Sequence, residues 1–122
     1  MVQTEKGLLV SGVLLLALAA LSGFVQQRYR QQAELFAEWR VVHAGGTAGA
    51  VQLLALGAVW QNFGQGRIAM LLEAGLIIAT LSFFFGPMAR ALRRPRIASA
   101  LLLLGAVVAL PTYLALPLLL WL

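Results

Sequence analysis

His43 is the only histidine in a chain without cysteine, so it is the one side chain well suited to bind a transition metal or a haem iron. It is also the only group whose ordinary pKa lies near neutrality. It stands in Trp39-Arg40-Val41-Val42-His43-Ala44-Gly45-Gly46-Thr47-Ala48-Gly49-Ala50. On a helix, Gly46, Thr47 and Ala50 follow at i+3, i+4 and i+7, on the same face as the imidazole. Such a face is flat, and a planar macrocycle can lie on Gly46 and Ala50 while His43 holds its iron. A single histidine leaves the other axial position open to a substrate or a gas. The competing reading makes His43 an interfacial residue bonded to a headgroup or a neighbouring helix. The pairs Gly45/Gly49 and Gly46/Ala50 then serve close helix packing.

Other polar residues sit among apolar neighbours. Glu73 is the only acidic residue inside a hydrophobic stretch, and intramembrane carboxylates are costly enough to be functional candidates. Its alternative role is a carboxyl hydrogen-bonded within an oligomer. Gln52 lies nine residues, about 13 Å along a helix, beyond His43 and is expected to hydrogen-bond another helix. Thr80 and Ser82 are expected to reach toward the His43 level, as helix-binding hydroxyls rather than catalysts. Phe83-Phe84-Phe85 packs among helices, meets lipid or walls an apolar pocket. Pro111 and Pro117 interrupt the last stretch around Thr112-Tyr113, where each frees a carbonyl and favours a kink.

These residues need elements to hold them, and composition says what kind. Hydrophobic residues make up 61% of the 122 positions and charged residues 11%, whereas soluble domains usually carry about 25% charged residues. Mean hydropathy is +0.90. Four apolar stretches follow one another, over residues 7–25, 41–60, 68–86 and 97–122. A hydrocarbon core about 30 Å thick needs about 20 helical residues, and each stretch supplies that. Lipid leaves no partner for unpaired backbone groups, so the stretches are helices. The fold class expected is an all-α integral membrane protein, a single up-down bundle of four transmembrane helices. The first stretch, with Lys6 ahead of it and small residues near Ala19, resembles a secretory signal peptide but is read as a true first helix. Trp39 and Trp60 stand 21 positions apart, about 31 Å on a helix, and are expected to anchor the second span at both interfaces. The polar segment Gln26–Trp39 is expected to turn and then extend the second helix early.

The net charge of +5 is not spread over a face. Arg28, Arg30 and Arg40 fall between spans one and two, and Arg90, Arg93, Arg94 and Arg96 between spans three and four. Only Lys6 and Arg67 fall on the other side. The positive-inside rule then places loops 26–40 and 87–96 in the cytoplasm and both termini outside. Topology and lipid contacts account for the arginines, so no nucleic-acid partner is expected. Without cysteine there are no disulfides or thiolate sites.

The chain resembles the styrene oxide isomerase family, small four-span membrane enzymes that work with haem b. The likeness lies in Trp39-Arg40-Val41-Val42-His43-Ala44-Gly45, in Ser82-Phe83-Phe84-Phe85 and in Pro111-Thr112-Tyr113-Leu114. Span order agrees over nearly the whole chain, although each motif is short. The resemblance implies that His43 is the axial ligand of haem b at an interface of a homo-oligomer, a trimer in that family. It implies a small apolar substrate such as an aryl epoxide, isomerised to an aldehyde with ferric haem as Lewis acid. A bacterial inner membrane is the location expected. Two departures bear on the chemistry. The family has an asparagine where this chain has Gly49, and a tyrosine in an aromatic run that is here all phenylalanine. The alternative, from another class, is a cofactor-free structural or accessory subunit packing through its Gly-rich second span. A small transporter has little support, because Glu73 has no charged partner within the spans and no inverted repeat is visible.

Overall fold

The computed structural model describes residues 2–64 and 66–121, with side chains from Lys6 onward. Four helices account for almost all of them: α1 (Val2–Arg28), α2 (Ala33–Val59), α3 (Arg67–Ala91) and α4 (Pro95–Trp121). Each is long and apolar enough to cross a membrane, as the hydropathy of the sequence predicts. Leu122, the end of the fourth predicted span, lies outside the described residues.

The helix ends overrun the apolar stretches for local reasons. Helix α2 begins at Ala33, well before Val41, because Ala33-Glu34-Leu35-Phe36-Ala37-Glu38 favours helix. Glu34 in its first turn also complements the helix dipole. Leu35 and Phe36 are half-buried and Trp39 is buried, so this extension packs on the bundle end. Helix α3 continues through Pro87 to Ala91. Its last turn closes with Leu92 N–H donating to Met88 O (2.9 Å) and Arg94 N–H to Ala89 O (2.8 Å). Arg93 sits between them at φ 62°, the left-handed residue that such a helix end requires. Pro95 then opens α4, its ring already set for the first helical position. At the opposite end a single 3-10 turn (Trp60–Phe63) continues α2. Gly64 (φ 84°) and Gly66 (φ 117°) then supply the left-handed backbone that reverses the chain.

Glycines set the helix register. A side chain at Gly12 would meet Leu54, and one at Gly46 would meet Ala19, so α1 and α2 run in opposite directions. Gly49 faces Thr80 while Gly46 faces Phe84; Gly86 faces Leu102 while Gly105 faces Phe83. Helix α3 is the central helix: half of its most apolar window is buried, against 17% for α4. It packs on α2 and α4 and along part of α1, while α4 leans almost wholly on α3. The core joins Leu8 and Leu15 of α1, Val42 and Leu53 of α2, and Leu76 and Phe84 of α3.

Trp39 and Trp60, expected to anchor the second span at both interfaces, lie toward opposite ends of it with their side chains buried. They are 6% and 1% exposed, because each rotates into the core at its end of the bundle, and Trp60 stacks obliquely on Phe63 at 5.1 Å. The exposed tryptophan is Trp121, at 90%.

Candidate functional site

His43 lies on the edge of α2 that faces α1. Its Nδ1 is 2.6 Å from the carbonyl oxygen of Ala19. A carbonyl can only accept, so Nδ1 carries a proton, and in the neutral imidazole Nε2 then keeps its lone pair. Ala19 O has Gly23 N–H as its ordinary helical partner and the Ser22 hydroxyl at 2.6 Å as a further donor. The ring fits there because α1 has glycine at the crossing. A Cβ on Gly23 would stand 2.9 Å from Cε1, 3.0 Å from Nδ1 and 3.5 Å from Nε2. Thr47 donates back to the His43 carbonyl at 2.8 Å, so its hydroxyl does not engage the ring. Nε2 has no hydrogen-bond partner among the described residues.

Gly46 and Ala50, the expected floor of a planar group, lie inside the chain's own packing. A Cβ on Gly46 would stand 2.7 Å from the Phe84 ring and 3.0 Å from Ala19 Cβ, and Ala50 is fully buried. The 100° step per residue rotates both toward α3 and α1. Their face is filled by side chains, so any planar group at the ring would have to approach from the outer side of the α1–α2 pair. There the exposed residues are Ala20 on α1 and, sharing the His43 face of α2 at i−3 and i+8, Arg40 and Val51, whereas Gly45, two residues on, turns to the opposite flank. No atom lies within 4 Å of where a Gly45 side chain would begin. Phe24, 76% exposed, stands one residue beyond Gly23.

The remaining polar residues form separate groups. Gln52 donates through Nε2 to the Tyr113 hydroxyl at 2.5 Å, joining α2 to α4, and Thr80 of α3 also bonds that phenol. The Thr80 hydroxyl donates to Leu76 O at 2.7 Å. Glu73 is buried between α3 and α1, against Gly7 and the Leu8 backbone, and does not approach His43. Ser82 is buried, Phe84 caps Gly46, and Phe83 lies over Gly105. Interhelical bonding by Gln52 follows from its amide in an apolar stretch; that Tyr113 is the partner does not, because 61 residues separate them.

At the arginine-rich end, Arg93 reaches Glu38 at 3.2 Å and Glu34 at 3.5 Å. The two basic loops therefore meet on one side of the molecule. Among the described residues no three His, Cys, Asp or Glu side chains converge. Compared with family models, with curated proteins and with solved structures, the chain matches none.

Proposed function

We propose that this chain is an integral membrane protein that binds haem b through His43. The observation that carries the reading is the 2.6 Å contact of Nδ1 with the Ala19 carbonyl. Histidines that hold metals commonly give their other ring N–H to a backbone carbonyl, which fixes the tautomer and raises ligand basicity. Here that arrangement is built from the chain alone. Exposed Ala20 on α1 and Val51 on the His43 face of α2 offer an apolar surface to a flat group held by the ring. A second copy covering the same surface would enclose that group, in keeping with a homo-oligomer.

The four helices are read as spans running up and down across a bacterial inner membrane, with the arginine-rich loops cytoplasmic. His43 then lies in the cytoplasmic leaflet. When bound, ferric haem supplies a Lewis-acidic centre for an epoxide oxygen, the chemistry of the family that the chain resembles. The chain's own part would be to hold the ligand nitrogen in place, present apolar side chains to the porphyrin, and keep water from an apolar substrate. An aryl epoxide entering from the lipid is the substrate proposed, and an aldehyde the product. With Gly49 and Phe83–Phe85 in place of that family's polar groups, isomerisation would rest on the iron and the apolar surroundings.

The second reading, a cofactor-free subunit packing through the Gly-rich second span, finds less support. Gly46, Gly49 and Gly57 are already occupied by Phe84, Thr80 and Leu9 of the same chain.

The deciding experiment is absorbance of the purified protein in detergent, with and without added haemin. A Soret band that disappears in His43→Ala and returns with free imidazole is expected. No Soret band, or one unchanged in His43→Ala, defeats the proposal. Incubation of the haem-loaded protein with an aryl epoxide, followed by assay for aldehyde, tests the isomerase activity separately.

A further inference from the structure

We infer that the groove between α2 and α4 binds a neutral, lipid-soluble alcohol or phenol through the Gln52 amide. This rests on reading the helices as membrane spans and is independent of haem at His43.

The groove exists because α4 packs on α3 and leaves its flank toward α2 uncovered. Its volume is about 460 Å³, within the range of small-molecule sites. Gln52 and Tyr113 lie at its polar edge, and Phe63, Leu116, Pro117 and Leu120 make up much of the remainder.

Two hydrogen bonds define the polar edge. Leu76 O only accepts, so the Thr80 proton is committed to it. The Tyr113 oxygen, beside Thr80, accepts Gln52 Nε2–H. This leaves Gln52 with one N–H and its Oε1, neither paired among the described residues. Gln52 is exposed near the middle of a span, where lipid offers no partner and an unpaired amide is costly.

An adjacent N–H and carbonyl match a hydroxyl, which accepts from one and donates to the other. An acyl chain would leave both unpaired. A carboxylate would bring a charge that no cation in the groove lining offsets. A neutral hydroxyl on an apolar body satisfies the amide and fills the apolar end.

The test uses the full chain in phosphatidylcholine nanodiscs, dialysed against para-phenylphenol, para-methoxybiphenyl or biphenyl, with empty discs subtracted. Saturable uptake of one phenol per chain is expected. Both the methoxy analogue on wild type and the phenol on Gln52→Leu should bind about tenfold more weakly, the loss of one to two hydrogen bonds. Leu120→Trp, which fills the groove, should abolish uptake, while His43→Ala should bind like wild type. Several results would overturn the inference: uptake no greater than in empty discs, biphenyl binding as tightly as the phenol, or equal affinity in Gln52→Leu. A change of oligomeric size in Gln52→Leu would likewise overturn it, by assigning the amide to a second copy.

Discussion

The Nδ1 atom of His43 and the carbonyl oxygen of Ala19, 24 residues apart in sequence, are 2.6 Å apart across the α1–α2 crossing. This bond chooses the imidazole tautomer and leaves Nε2 as the nitrogen able to take a metal. It also makes α1 part of the site, although α1 contributes no metal-binding side chain to it.

Gly23 is the position through which this bond can be tested, since the acceptor itself is backbone. A methyl group there would stand 2.9 Å from the ring and push it off Ala19. Gly23→Ala should cost about 1–3 kcal/mol by overpacking and release haem more readily than wild type. Thermal melting in detergent and the Soret band remaining after gel filtration report the two effects. An unchanged melt together with full haem retention would show that the ring does not rest on Gly23.

Two adjacent glycines should respond in opposite directions. Gly46→Ala drives a methyl to 2.7 Å from the Phe84 ring and should destabilise by about 1–3 kcal/mol. Gly45→Ala meets nothing within 4 Å and should be neutral or stabilising by up to about 1 kcal/mol, the helix-propensity gain. Phe84→Leu in the Gly46→Ala background should recover part of the loss. The comparison needs only melting temperatures, and equal shifts for the two variants would contradict the packing described.

Arg93 combines an unfavourable backbone with an exposed ion pair. Its φ of 62° costs a side-chain-bearing residue about 1–2 kcal/mol. The pairing with Glu38 and Glu34 is exposed on the Arg93 side and worth about 0–1 kcal/mol. Arg93→Gly should therefore melt at or above wild type, whereas Arg93→Ala loses the pair, keeps the strain and melts below both. High salt should narrow the gap between wild type and Arg93→Ala.

The absence of native cysteine makes topology directly measurable. Single cysteines at Gln31 and Leu92, in the two loops that Arg93 and Glu38 bring together, should label alike with a membrane-impermeant maleimide. Both should react only after cell lysis. Asn62→Cys, at the other end of α2, should react in intact cells. Labelling of Gln31→Cys and Leu92→Cys from opposite sides would break the four-span arrangement.

Helix number, approximate bounds and the basic character of two loops were legible in the sequence because they are local. Hydropathy over about 20 residues reports length against bilayer thickness, and arginine density needs no partner. The early start of α2 was legible in Ala33–Glu38 for the same reason. The tryptophans were less so. Belt spacing fits Trp39 and Trp60, but a tryptophan at a helix end faces lipid or core according to rotation about the axis, and here both face the core. The site was legible in one residue and not in its surroundings. Composition singles out His43, whereas the neighbours of Gly46 depend on where Phe84 and Ala19 arrive from other helices.

The sequence by itself thus determined four apolar helices, their order, and a single histidine near one end of the second. Only the tertiary structure decided which faces meet, that Ala19 and Gly23 receive the imidazole, and that α2 and α4 stand apart with Gln52 and Tyr113 between them. In a chain this uniformly apolar, burial alone does not distinguish one face from another. Side-chain shape, glycine clearance and the pairing of scattered polar atoms choose among the possible packings, and each of those depends on residues far apart in the sequence.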